Sequence, residues 1–158
     1  MCGILGFVTK NKFDLSTWLT SAIDSLKHRG PDDQGQWINK ELNIGMGHTR
    51  LSIFDLSSSG RQPMSSFSER FIITFNGEIY NFKEIRQKLK NLGINFKSDT
   101  DTEVFVNAFE VWGEKCLSMF IGMFAAAIFD NKLKKLYLIR DIAGEKPLYY
   151  FKSKDVFL

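Results

Sequence analysis

Cys2 has the most reactive placement in the chain. It follows the initiator Met, and so small a second residue favours removal of Met1, which would leave the cysteine with a free α-amine. Such an amine titrates near about 7.7–8.0 and a thiol near about 8.5. A base suited to neutral pH would then sit on the same Cα as the nucleophile, so activation needs no histidine. Gly3 leaves room for a substrate beside the backbone. Alone, Met-Cys-Gly is weak, because a free cysteine more often behaves as a small hydrophobe.

Four further segments carry candidate chemistry. In HTRLSI (48–53), Arg50 interrupts an apolar strand. A guanidinium there must meet an anion, and its planar fork suits an α-carboxylate; a solvent face or an internal ion pair is the plainer reading. In FNGEIYN (75–81), Asn76-Gly77 reads first as a tight turn, yet a side-chain amide beside an unhindered Gly N–H can also form an oxyanion hole. In SDTDTE (98–103), acids at a helix start serve as caps, and one of them can instead face a substrate ammonium. HRGPD (28–32) is explained by a helix stop and is given a supporting role.

The elements that must position these residues follow from periodicity. Residues 2–9 read as a buried strand. Leu15, Leu19, Ala22, Ile23 and Leu26 share a helical stripe, capped by Asp14 and stopped by Gly30-Pro31. Residues 36–38 and 44–53 read as strands, and 55–63 as a loop. Residues 71–75 predict a strand, and Phe82, Ile85, Leu89 and Leu92 a helix closed by Gly93. Thr100 and Glu103 have capping-box spacing ahead of a helix that ends at Gly113. Strands follow over 119–129, 135–140, 148–151 and 156–158, with a turn at Asp130-Asn131. Helices and strands are segregated, which argues for antiparallel sheets covered by helices, an α+β fold.

Composition narrows the function classes. The chain has 158 residues, 21 Lys+Arg against 18 Asp+Glu, and a formal charge of +3, with basic and acidic residues interspersed. That pattern gives no nucleic-acid or membrane-surface footprint. The longest apolar run, residues 123–129, is far shorter than a membrane span, and no signal peptide opens the chain. Fifteen Phe against three Pro exclude disorder. Two cysteines make no disulfide framework, so a cytoplasmic protein with free thiols is expected, and Cys116 reads as structural. Neither nucleotide-binding glycine motif, HExxH nor GxSxG occurs, and His28 and His48 lack ligand spacing, so no metal site is expected.

Taken together, MCGILGF, HRGPDDQG, GHTRLSIFDLSSSGRQPM, FNGEIYNFKEIR, SDTDTEV, GMFAAAIFD and RDIAGEKPLYY stand in an order that resembles the class II glutamine amidotransferase domain, an N-terminal-nucleophile (Ntn) hydrolase. The form at the front of glutamine-hydrolysing asparagine synthetases is the most similar. The resemblance covers the whole chain as one glutaminase domain, 1–158, and implies a four-layer αββα sandwich of two antiparallel sheets. It implies Cys2 as nucleophile, Asn76 and Gly77 as oxyanion hole, and Arg50 as clamp on the glutamine α-carboxylate. The backbone of Leu51, Ser52, Ile53 and Phe54 would form the pocket wall, and Glu78 and Asp101 would receive the ammonium. Asp101 is preferred to Asp99 because it alone precedes Thr-Glu.

L-glutamine is the implied substrate, and a synthetase domain, in cis or on a partner chain, the implied consumer of ammonia. The family's Ser-Gly-Gly-x-Asp-Ser pyrophosphate loop does not occur in the 158 residues, so ATP and Mg are expected only in that other domain and no cofactor in this one. RDIAGEKPLYY departs from the commoner RDRxGxKPLYY, a variant associated with other acceptors, including sugars. Asparagine synthesis is the expected acceptor reaction and a nucleotide-sugar acceptor the alternative. A catalytically silent glutamine-binding or interaction domain, and a peptidase or autoprocessing hydrolase with the same nucleophile, are the competing classes.

Overall fold

A computed structural model describes residues 2–10, 14–51 and 58–158, with only the backbone of Ser58. Its strands are β1 (Gly3–Thr9), β2 (Asp33–Asn39), β3 (Ile44–Arg50), β4 (Met64–Ser65), β5 (Phe71–Ile79), β6 (Gly122–Asp130), β7 (Lys135–Arg140) and β8 (Val156–Phe157). Its helices are α1 (Leu15–Ser25), α2 (Phe82–Asn91) and α3 (Asp101–Trp112). Asp14 caps α1, Oδ1 accepting from the N–H of Ser16 at 3.1 Å and of Thr17 at 3.3 Å. Such a cap is typically worth about 1 kcal/mol.

Two four-stranded antiparallel sheets result, ordered β2-β3-β1-β8 and β4-β5-β6-β7. β1 runs against β3 from Gly3↔Thr49 to Val8↔Ile44, and β5 against β6 from Phe71↔Asp130 to Ile79↔Gly122. The period of two splits each strand between an inner face, turned to the other sheet, and an outer face, turned to helices. Ile44 and Met46 of β3 meet Ile72 of β5 and Ala127 and Phe129 of β6 between the sheets. The Trp37 ring packs 5.6 Å from Phe129 in the same layer. Phe7 closes one outer layer with Leu15, Leu19 and Ile23 of α1. Phe71, Ile73 and Phe75 close the other with Ile85 and Leu89 of α2 and Val104, Phe105 and Phe109 of α3. The chain is therefore a four-layer αββα sandwich, as the resemblance implies. Among the described residues no helix is long and apolar enough to cross a membrane.

Four local expectations need correction. Asn76-Gly77 is not a turn: both residues lie inside β5, opposite Ala125 and Phe124. The long β6 ladder supplies their pairing and overrides the local turn preference. The strand read from residue 119 starts at Gly122, since Gly113–Met119 forms a 3₁₀ turn that buries Cys116. Residues 148–151 form no strand: Tyr149, Tyr150 and Phe151 are exposed, and Phe151 only exchanges backbone hydrogen bonds with Leu158. β3 ends at Arg50, and the remainder of the strand expected to reach residue 53 leaves the ladder at Leu51, with residues 52 and 53 outside the described residues.

Among the described residues, one flank of the sandwich is only partly paired. β8 pairs only with Val8 and Thr9, so β1 from Gly3 to Gly6 carries no strand on that side among the described residues. A cavity of about 430 Å³ lies there, lined almost entirely by apolar side chains such as Leu5, Met46, Ala127, Leu136 and Leu138.

Candidate active site

The chemistry-bearing residues gather elsewhere, at one end of the sandwich. Even-numbered residues of β1 and β3 face inward: Val8, Ile44 and Met46 pack between the sheets, and His48 reaches Phe75 of β5. The same alternation places Cys2, just before β1, and Arg50, the last residue of β3, on that inner face. On β5, Thr74 Oγ1 donates to the Gly47 carbonyl across the layer at 3.2 Å, so Asn76, two residues on, also points inward. These strands end around a cleft of about 70 Å³, whose walls include Cys2, Arg50, Leu51, Gly77, Glu78 and Asp101. The larger apolar cavity holds none of them.

Leu51 brackets the Cys2 thiol. Its N–H donates to Sγ at 3.4 Å, and its carbonyl lies 3.8 Å from Sγ, placed to accept from the protonated thiol. One residue thus offers a partner to either protonation state. Arg29 Nε donates to the Cys2 carbonyl at 3.3 Å, and Gly3 N–H donates to Thr49 Oγ1 at 3.1 Å. HRGPD thus bonds to the Cys2 backbone through Arg29, but it does not stop α1: the helix ends at Ser25 with Leu26 as its C-cap, and Gly30 closes a separate 3₁₀ turn over Lys27–Arg29. Gly30 also packs on β3, where a Cβ would lie 2.5 Å from the Thr49 carbonyl carbon. Asp32 N–H donates to the Arg50 carbonyl at 3.0 Å.

Arg50 is buried, and its guanidinium passes Gly60 so closely that a Cβ there would meet Nη2 at 2.3 Å. Two acids, Glu78 and Asp101, line the same cleft. Asp101, the first residue of α3, accepts the Ile79 N–H on Oδ2 at 2.9 Å, which ties the helix to the end of β5. Burial pushes its pKa up to about 6; backbone hydrogen bonds oppose the shift and the nearby Glu78 charge adds to it. Asp99 lies away from the cleft, 94% exposed and paired with Arg86 at 3.1 Å. Thr100 caps α3, its Oγ1 accepting from Glu103 N–H at 3.3 Å. The reciprocal half of the expected capping box is absent: the Glu103 carboxylate instead accepts from the N–H of Lys97 at 2.8 Å and of Ser98 at 2.7 Å.

His48 is structural. Its Nε2 lies 3.2 Å from the Phe75 carbonyl, so the neutral ring carries its proton on Nε2 and donates it. Burial lowers its pKa to about 4; the carbonyl bond opposes that and the Arg50 charge reinforces it. Cys116 is sealed in the core and its thiol is pushed up to about 12, which removes it as a nucleophile at neutral pH.

One cleft is thus lined by Arg50, by two acids, Glu78 and Asp101, and by Cys2. The glutamine amidotransferase domain family matches over residues 1–158. The chain belongs to that family. A putative glutamine-hydrolysing asparagine synthetase of Methanocaldococcus jannaschii is 36% identical, over 100% of this chain and 33% of its own length. Glutamine-hydrolysing asparagine synthetase 3 of Bacillus subtilis is 36% identical, over 100% of this chain and 26% of its own. The amidotransferase domain thus spans at most a third of either protein. Among solved structures, glutamine phosphoribosylpyrophosphate amidotransferase from B. subtilis superposes with a TM-score of 0.78. It covers 98% of this chain and 40% of that one at 20% identity, a likeness of fold.

Of the expected site residues, Cys2, Arg50, Leu51, Gly77, Glu78 and Asp101 line one cleft, and Asn76 is buried beside it on the inner face of β5. Ser52, Ile53 and Phe54 lie outside the described residues. The sequence reading missed the direct contact of Arg29 with Cys2 and the close approach of Gly60 to the Arg50 guanidinium. It also passed over Gln62, which lines the cleft.

Proposed function

We propose that this amidotransferase domain hydrolyses the side-chain amide of L-glutamine and supplies the ammonia to a synthetase domain, in cis or on a partner chain. The observation that carries the reading is that Cys2, Arg50, Glu78 and Asp101 line one cleft. Arg50 takes the α-carboxylate and the two acids take the α-ammonium, which directs the carboxamide to Cys2. The terminal amine accepts the thiol proton and the thiolate attacks the amide carbon. The oxyanion is received by Asn76 and Gly77. Collapse breaks the C–N bond and ammonia leaves with the proton the amine held. A γ-glutamyl thioester remains, which water cleaves to glutamate and free thiol.

The route balances with water alone, so the domain itself uses no cofactor, and ATP with Mg serves the acceptor-activating domain. The relatives' names favour aspartate as the acceptor, and the reaction belongs in the cytosol, where both thiols stay reduced. The test is ammonia and glutamate release by protein whose intact mass proves loss of Met1. Material retaining Met1 has its Cys2 nitrogen in a peptide bond and is expected to be inactive until an aminopeptidase trims it. Full turnover by wholly Met1-retaining protein would refute the mechanism.

A further inference from the structure

Gln62 is buried at 6% exposure and uses both ends of its amide within the protein. Its Oε1 accepts the Phe75 N–H at 2.7 Å, and its Nε2 donates to Thr102 Oγ1 at 3.1 Å. The first bond replaces a missing strand. β4 pairs with β5 only at Met64↔Ile73 and Ser65↔Ile72, so the ladder on that edge stops two residues before Phe75. An unmet N–H there would be costly, because Phe75 is buried. The Phe75 carbonyl is taken by His48. Both backbone groups of the residue preceding Asn76-Gly77 are therefore held by side chains. The second bond ends on Thr102, the immediate neighbour of Asp101 in α3.

We propose that Gln62 is a positioning residue that couples the two substrate-handling parts of the cleft. Its carbonyl end fixes the strand carrying the oxyanion donors, and its amino end fixes the helix carrying the ammonium-binding acid. The inference rests on the functional reading above and adds a division of labour to it. Loss of the helix end acts on amino-acid binding, whereas loss of the strand end acts on the chemical step.

Thr102→Val is near-isosteric and removes only the helix end; Gln62→Met is similar in length and removes both. Both are assayed in the Met1-processed full chain with glutamine and with glutaramic acid, the same amide acid without the α-amine. Rates are normalised to Cys2 labelled by a diazoketone analogue of glutamine, so partial misfolding does not enter. Thr102→Val is expected to raise KM for glutamine about five- to tenfold with kcat within twofold, and to leave KM for glutaramic acid unchanged. Gln62→Met is expected to show the same KM effect plus a kcat loss of tenfold or more with both substrates. The double variant should match Gln62→Met. Equal KM increases for both substrates in Thr102→Val, or wild-type kcat per labelled site in Gln62→Met, would overturn the coupling. If Gln62→Met does not fold, the two-substrate comparison in Thr102→Val decides alone. If wild-type protein turns over neither substrate, the functional reading fails, and the coupling with it.

Discussion

The two sheets contribute to the cleft in different ways. The sheet of β1 and β3 delivers Cys2 and Arg50 from strand ends, where the ladder is finishing. Their positions depend on bonds from other segments: Arg29 to the Cys2 carbonyl, Leu51 N–H to Sγ, and Asp32 N–H to the Arg50 carbonyl. The sheet of β5 and β6 delivers Asn76, Gly77 and Glu78 from inside a nine-residue strand paired along its whole length. α3 covers that strand and is bonded to it through Asp101 and Gln62. On the proposed function, covalent chemistry falls to strand termini held by bonds from neighbouring segments. On the same reading, charge stabilisation falls to a laddered strand whose backbone is held in place. Preorganised donors are effective for that reason.

The largest effect should come from the terminus itself. Cys2→Ala is expected to reduce ammonia release to background, whereas Cys116→Ser should keep kcat. The second substitution places a hydroxyl in the core and should cost about 1–3 kcal/mol of stability. Equal loss of activity in both, with both folded by circular dichroism, would erase the distinction between reactive end and inert core.

Next comes the interior donor. Asn76→Ala should lower kcat by about 10²–10³-fold, some 3–4 kcal/mol, with little change in KM. A loss confined to KM in steady-state kinetics would move Asn76 from transition-state stabilisation to binding.

Arg50→Lys keeps the charge but not the fork. Losing one bond to a carboxylate is worth about 1.5–3 kcal/mol, so kcat/KM for glutamine should fall by about 10- to 150-fold. Kinetics near wild type would show that Arg50 does not hold the carboxylate.

The smallest effect is a pH dependence. Asp101 must be ionised to attract an ammonium, and its pKa is raised to about 6. KM for glutamine should therefore climb as pH falls below about 6, by at most tenfold per unit. The effect on stability has the opposite sign. A carboxyl whose folded pKa lies above its unfolded value stabilises the fold below the unfolded pKa, and that contribution is lost as pH rises through about 6. Asp101→Asn should accordingly raise Tm slightly at pH 7 while raising KM for glutamine. A lower Tm in a thermal melt would contradict the burial argument.

The order of elements and the layered α+β architecture were legible because Leu15-Leu19-Ile23, Ile85-Leu89 and the alternation along β3 bury at the periods they display. The site was legible from motifs joined by resemblance, since nothing local to Asn76-Gly77 announces a strand. Its extension follows from the partner strand, which begins 43 residues after the end of β5, at Gly122↔Ile79, and extends pairing through a turn-forming dipeptide. Gln62 was illegible for a related reason: its value lies in the Phe75 N–H, which is orphaned only because β4 is two residues long. Residues 148–151 misled through composition, being aromatic without a strand to pair with.

β1 is both the strand that starts next to Cys2 and, among the described residues, a strand with no partner on its second edge from Gly3 to Gly6. A bare edge is a template for pairing with another chain, the first step of aggregation. Any chain that added there would lie alongside the segment that aims the thiol. Among the described residues, a substitution on this edge of β1 is therefore also one beside Cys2, and has to be judged by its effect on pairing and on thiol placement together.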